Sequence, residues 1–429
     1  MSKVRTLGLV LAVLLLVAPL AAAHGAQVES EELGPLPTPR LARAMSRDGR
    51  HLALVTERNG KQLVVVDGQG GPEYDNIGEG SLLFSPDSSR LAYRARKGQK
   101  RFVVVDGQAG PEFDRISTPM FSPDSSRLAY VAQMGEKCLV VVDGQAGPEY
   151  DVIGEYHVIG EGSPVFSPDS SRVAYGARKG QKRFVVVDGQ AGPDYDRIDG
   201  WPVFSPDSSR VAYAAQMREK QLVVVDGQAG PEYDAIGNGT LVFTPDSSRV
   251  AYSAEMGEKW FVVVDGQAGP EYDDILEGSP VFSPDSSRVA YAAQMGEKCL
   301  VVVDGQAGPE YDVIGEGSPV FSPDSRRVAY SAEMGEKCLV VVDGQAGPEY
   351  DDILEGSPVF SPDSSRVAYS ARKGQKRFVV VDGQAGPEYD AIVRFDPAKL
   401  TFDADGALEY LASKDQTLYR VRHAASPPR

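Results

Sequence analysis

Basic and aromatic side chains gather at one place in an otherwise acidic chain. The hairpin Arg-Lys-Gly-Gln-Lys-Arg places Arg178, Lys179, Lys182 and Arg183 within six residues. Tyr156 and His157 lie in an insertion before it, and Trp201 lies in the link after it. Tyr, Trp and Arg are the side chains that most often anchor protein interfaces, so these seven residues form the candidate binding patch. The insertion also duplicates Val-Ile-Gly-Glu, which a copying slip would produce without any function. Catalytic patterns are poor by comparison. The four histidines, His24, His51, His157 and His423, share no common position. No HExxH, GxSxG or Gly-rich phosphate loop occurs. Paired carboxylates abound, yet no pair is singled out as an acid and a base. A hydrolase or lyase using carboxylates around a central channel is therefore the alternative reading, and a structural envelope component is a third.

The remaining charged residues recur. In the unit that begins at Phe282 the residues Asp285, Arg288, Asp304, Glu310 and Asp312 are expected on one face. Oxygen ligands in such number could hold cations. No D-x-D-x-D-G loop is present, so the expected role is turn capping, with no metal and no cofactor. Cys138, Cys299 and Cys338 stand where other copies carry Gln, Arg or Trp, which excludes a required disulfide or metal ligand.

The elements that must position these residues are repeats. Phe-Ser-Pro-Asp-Ser-Ser-Arg-Val-Ala-Tyr stands at 282–291 and again from 166, 204 and 360. The Asp of Val-Val-Val-Asp-Gly-Gln falls at 67, 106, 143, 188, 226, 265, 304, 343 and 382. A period near 40 residues is that of a four-stranded propeller blade. Residues 279–285 read as a first strand ending in a Pro-Asp turn, and 288–294 as a second strand. Residues 299–304 read as a third strand, and 310–314 as an outer one. β-Branched and aromatic residues on both faces require a sheet covered on both sides, which stacking against sister sheets provides. A parallel β-helix is the runner-up, with coils too short for this unit.

The Ser-Pro-Asp turn followed by Arg-Val-Ala-Tyr resembles the WD40-like (PD40) repeat of TolB-type β-propeller proteins. The resemblance covers nearly the whole chain after its first 40 residues and implies an all-β fold. One departure is consistent: Ser follows the Asp where the family has Gly, except at Gly49 and Gly406. Nine complete units and a tenth that lacks its outer strand predict a single propeller of ten four-stranded antiparallel blades over 41–422, closed by the chain ends; nine blades are the alternative. Segment 24–40 is the expected closing strand and is too short for the N-terminal domain of TolB. Residues 423–429 read as a disordered tail.

Residues 1–23 read as a signal peptide, with Lys3 and Arg5 ahead of an apolar run and Ala21-Ala22-Ala23 at the cleavage site. The expectation is a periplasmic or secreted monomer with no stable membrane insertion. A formal net charge of -17 disfavours nucleic acid. The expected function is a scaffold for a protein or glycan partner in the envelope or outside the cell.

Overall fold

The computed structural model describes residues 42–154, 164–278, 280–317, 319–354, 358–393, 400–415 and 417–423. The signal segment, the expected closing strand, Tyr156, His157 and the tail beyond His423 lie outside them. The described residues form ten consecutive antiparallel sheets, numbered 1 to 10 here in chain order. No helix among them is long and apolar enough to cross a membrane.

Sheet 7, residues 274–311, represents the set. Its centre is the hairpin of Val289–Met295 and Lys298–Val303. Gln306–Tyr311 adds the outer strand. The inner strand comes in two pieces, Asp274–Ile275 and Val281–Phe282, which both pair with Val289–Met295. The turn after Val303 places Asp304 and Gly305 at φ 52° and 78°. Two consecutive positive values define the tight turn that suits the twist of a hairpin, and Gly adopts its own without strain.

This arrangement corrects the expected outer strand at 310–314. Tyr311 ends the outer strand, whereas Val313–Ile314 already belongs to sheet 8, paired with Val328–Met334. A single residue, Asp312, makes the crossing. Its carboxylate accepts from Lys298 Nζ (2.5 Å) and from the Gly335 amide of the next sheet (2.7 Å). Asp312 therefore lies with the second hairpin and not with Asp285 and Asp304. Glu310 follows it, since the equivalent Glu73 pairs with the hairpin residue Arg58 at 2.7 Å. The acidic charge is thus divided between both ends of the sheets.

Alternating side chains give every internal sheet two apolar faces. Tyr291, Ala293, Leu300 and Val302 pack back on Tyr272 and Val262 of sheet 6. Ala292 and Val301 pack forward on Tyr330 and Leu339 of sheet 8. Tyr272 and Tyr291 meet edge to face at 6.0 Å. Nine such cores join the ten sheets in series. None of these cores joins sheet 10 to sheet 1 among the described residues. The far face of sheet 10 instead presents an exposed ion pair, Arg420 with Glu409 at 3.2 Å.

The repeated Ser-Pro-Asp-Ser-Ser-Arg turn ties neighbouring sheets. Ser283 Oγ donates to Asp285 Oδ1 (2.7 Å) and accepts from the Arg288 amide (2.9 Å). The Asp285 amide donates to Ser325 Oγ of sheet 8 (2.9 Å). Arg288 donates through Nε to Asp304 (2.8 Å) and through its terminal nitrogen to the Arg326 carbonyl of sheet 8 (2.9 Å). Its guanidinium also lies 5.4 Å from the centre of the Phe321 ring. Ser325 has φ 65°, a left-handed conformation that suits Gly. The replacement of Gly by Ser is thereby explained: the hydroxyl bonds the preceding sheet. Gly49 stands in sheet 1, which no described sheet precedes.

Two outcomes test this account. Ser325→Ala loses the hydrogen bond and keeps the strained φ, so it costs about 1 kcal/mol. Ser325→Gly loses the same bond but relieves the strain, so its net effect is near zero. An unchanged urea midpoint in Ser325→Ala would contradict the role given to the hydroxyl, and equal losses in the two variants would contradict the strain. The turn carboxylates also set the acid limit. Nine of them are held below the usual value of 3.8. Asp169 is lowered to about 2, first by the Ser167 hydroxyl and then by the Ser171 amide. A lowered folded-state value stabilises the fold above the unfolded value, and this contribution disappears as pH falls through the folded one. The thermal midpoint should fall between about pH 4 and about pH 2, and more gently in Ser167→Ala.

Candidate functional site

The repeat pattern breaks in sheets 4 and 5. Sheet 4 carries Gly176 in its second strand, Val173–Lys179. The equivalent residues of other sheets are Arg94, Val131, Ala214, Ser253, Ala292, Ser331 and Ser370. A side chain at Gly176 would meet nothing within 4 Å, so its absence leaves open space. The inner strand of sheet 5 is continuous over Arg197–Phe204, with a bulge between Asp199 and Val203. The corresponding stretch of sheet 7, from Asp274 to Phe282, is one residue longer and splits into two pieces. Gly200 turns the bulge at φ 67° and Trp201 follows it, 45% exposed.

A cavity of about 690 Å³ opens beside these departures. Its lining includes Gly176, Arg178 and Arg183 from sheet 4, Arg197, Asp199 and Trp201 from sheet 5, and Asn238 from sheet 6. Its size is in the range of small-molecule sites. Of the seven residues singled out from the sequence, Arg178, Arg183 and Trp201 line this one cavity. Lys179 and Lys182 sit on the hairpin outside its lining, and Lys182 pairs with Asp194. Arg197, Asp199, Asn238 and Gly176 were missed. Their signal was present as local departures: Arg-Ile-Asp-Gly-Trp and Gly-Asn-Gly-Thr replace the usual links, and Gly176 replaces a side chain.

Electrostatics set this hairpin apart from its two sequence copies. Arg178 and Arg183 occupy directly opposed positions on neighbouring strands. Like charges so placed repel. The same pairing occurs as Arg96 with Arg101 and Arg372 with Arg377. In sheet 9 the inner strand offers Asp352 opposite Arg372, and the two form an ion pair at 3.5 Å. In sheet 2, Arg96 donates to the Gly98 carbonyl at 3.0 Å and Arg101 donates to the Asp114 carbonyl. In sheet 4 the residue opposite Arg178 is Val152, which offers no charge. Asp151 is near enough for Arg178 to help lower its pKa, but its oxygens are taken by Lys137 and the Gly180 amide.

Unsatisfied polar atoms concentrate here as well. Among the described residues, five buried side-chain nitrogen or oxygen atoms lack a hydrogen-bond partner, and two of them are Arg178 Nε and Asp199 Oδ2. Asp199 spends its other oxygen on Arg197. The lining therefore combines a donor without an acceptor and an acceptor without a donor, with an indole among the residues around them. Cys138, Cys299 and Cys338 are free and half-buried, and none of them is among the residues that line this cavity. Burial raises the pKa of all three thiols. No group of acidic, His or Cys residues that could hold a metal ion occurs among the described residues.

No family model matches the chain, and no curated protein matches it. Several solved structures resemble it remotely. A eukaryotic initiation factor structure is 12% identical, with a TM-score of 0.40, over 81% of this chain and 96% of that one. TolB from Acinetobacter baumannii is 17% identical, with a TM-score of 0.26, over 51% of this chain and 62% of TolB. The β-propeller domain of the trilobed protease from Pyrococcus furiosus is 14% identical, with a TM-score of 0.27, over 60% of this chain and 90% of that domain. These likenesses are too distant to assign a fold or a site.

The cavity arginine should contribute little to stability. Arg178→Gln removes a repelling charge that has no ion-pair partner among the described residues, so the melting temperature should hold or rise. Arg372→Gln removes a paired charge and should lower it slightly, by about 0.5 kcal/mol of stability. Calorimetry that found the larger loss in Arg178→Gln would make Arg178 a structural residue.

Proposed function

We propose that the chain is a periplasmic or secreted β-propeller of ten blades that acts as a binding scaffold for a protein or glycan partner. It resembles TolB-type PD40-repeat proteins. Ten sheets of one plan, joined by cores in series, support the blade reading. Ring closure would rest on segment 24–40, because the described part of sheet 10 turns a charged face outward. The chain works as a monomer in this reading, with no cofactor and no nucleic acid partner.

The observation that carries the binding role is the cavity between sheets 4, 5 and 6. Two arginines occupy directly opposed positions there, and no described residue forms an ion pair with either. A scaffold under selection for stability alone would not need such an arrangement, because the copy in sheet 9 pairs its arginine with Asp352. Affinity would come from the side chains at this cavity, while the stacked sheets contribute a rigid frame.

The test is recovery of partners from the native envelope or culture medium. A variant with Arg178, Lys179, Lys182 and Arg183 changed to Ser should lose the partner that the unmodified protein retains. The same four changes at Arg372, Lys373, Lys376 and Arg377 should leave recovery intact. Equal recovery by both variants would remove the sheet 4 patch from consideration.

A further inference from the structure

We propose that the cavity between sheets 4, 5 and 6 binds an acidic sugar, a pyranoside bearing a carboxylate. This deepens the binding role proposed above and rests on it. Three features of the cavity each suit a different part of one ligand.

The first is the opposed pair Arg178 and Arg183. Neither guanidinium makes a side-chain hydrogen bond or ion pair to a described residue, and Arg178 Nε is buried without an acceptor. An anion shared between them removes the repulsion and satisfies the donors. A planar carboxylate suits the fork of a guanidinium. The second feature is Asp199, whose buried Oδ2 accepts nothing. A ligand made only of acceptors, such as a phosphate or sulfate ion, would leave this oxygen unsatisfied and add a repelling charge. A hydroxyl group donates to it. The third feature is Trp201, a half-exposed indole that also lines the cavity. An indole is a flat, amphipathic surface against which the apolar face of a pyranose ring can lie.

Carboxylate, hydroxyl and an apolar ring face occur together in an acidic sugar. An acidic peptide supplies the carboxylate but offers no hydroxyl to Asp199 unless Ser or Thr is correctly placed. A neutral sugar leaves the arginine pair unrelieved. The net charge of -17 also argues against general attraction of anions, so any uptake must be local. The volume of about 690 Å³ accommodates a short saccharide.

The experiment is isothermal titration of the full chain with three probes: trigalacturonate, a neutral galactose trisaccharide and triglutamate. Trigalacturonate should bind, and the other two should bind at least about tenfold more weakly, the scale of one hydrogen bond to a charged group. Arg178→Gln and Trp201→Ala should each weaken trigalacturonate by about tenfold or more. Asp199→Asn, which keeps an acceptor oxygen and removes the charge, should weaken it less than Asp199→Ala. Arg372→Gln, at the sister hairpin, should leave it unchanged and thereby controls for folding. Binding of triglutamate as tight as that of trigalacturonate would overturn the sugar in favour of an acidic peptide. Equal loss in Arg178→Gln and Arg372→Gln would overturn the site. Absence of trigalacturonate binding, with partner recovery still dependent on the four sheet 4 cations, would discard the sugar and leave the scaffold role standing. Absence of both would discard the two together.

Discussion

A four-stranded sheet of about forty residues with apolar side chains on both faces cannot stay folded in water alone. Each sheet here is stable because the next one covers it. The demand appears in the sequence as Val-Ala-Tyr and Leu-Val-Val-Val, in which consecutive residues point in opposite directions and are still all apolar. The Ser-Pro-Asp-Ser-Ser-Arg turn orients the stack. Its serine, aspartate and arginine make directed bonds to the neighbouring sheet, while the apolar faces supply affinity without direction. A twisted sheet could otherwise slide on its neighbour. The Asp285 to Ser325 bond and the Arg288 contacts pin the offset between sheets.

The same logic explains where function can reside. Residues that serve stacking must recur, and a site must not. Two of the departures in sheets 4 and 5 lie outside the stacking positions: Val152 stands where sheet 9 has Asp352, and Trp201 occupies a shortened link, whereas Gly176 gives up the forward contact that its equivalent Ala292 makes in sheet 7. Tyr175 and Ala174 beside Gly176 keep their core roles in sheet 4. The frame is therefore preserved while the surface next to it is remodelled. An arginine pair without an ion-pair partner among the described residues is tolerable in such a frame because the surrounding cores supply stability in excess of its cost.

Much of the fold could be read before any coordinates. The period, the two hairpin turns, the central strands and the incomplete tenth unit follow from alternation and from Gly and Pro placement. The outer strand was misread because Glu-Tyr-Asp-Val-Ile is continuous in sequence, whereas the chain passes between sheets within it at Asp312. Nothing in the residue types marks a crossing that takes one residue. The placement of Glu310 and Asp312 failed for the same reason, since their end of the sheet depends on where the crossing occurs.

The sequence alone determined that sheets of one kind would stack, and that the basic hairpin at 178–183 and Trp201 depart from the common unit. These are local properties: alternation, turn chemistry and comparison between copies. Only the tertiary structure decided that Arg178, Arg183 and Trp201 share a cavity with Arg197, Asp199 and Asn238, while Lys179 and Lys182 stay outside it. Those groups come from three sheets, and their meeting depends on the offset of one sheet against the next. That offset is fixed by packing between sheets, a quantity no single strand carries.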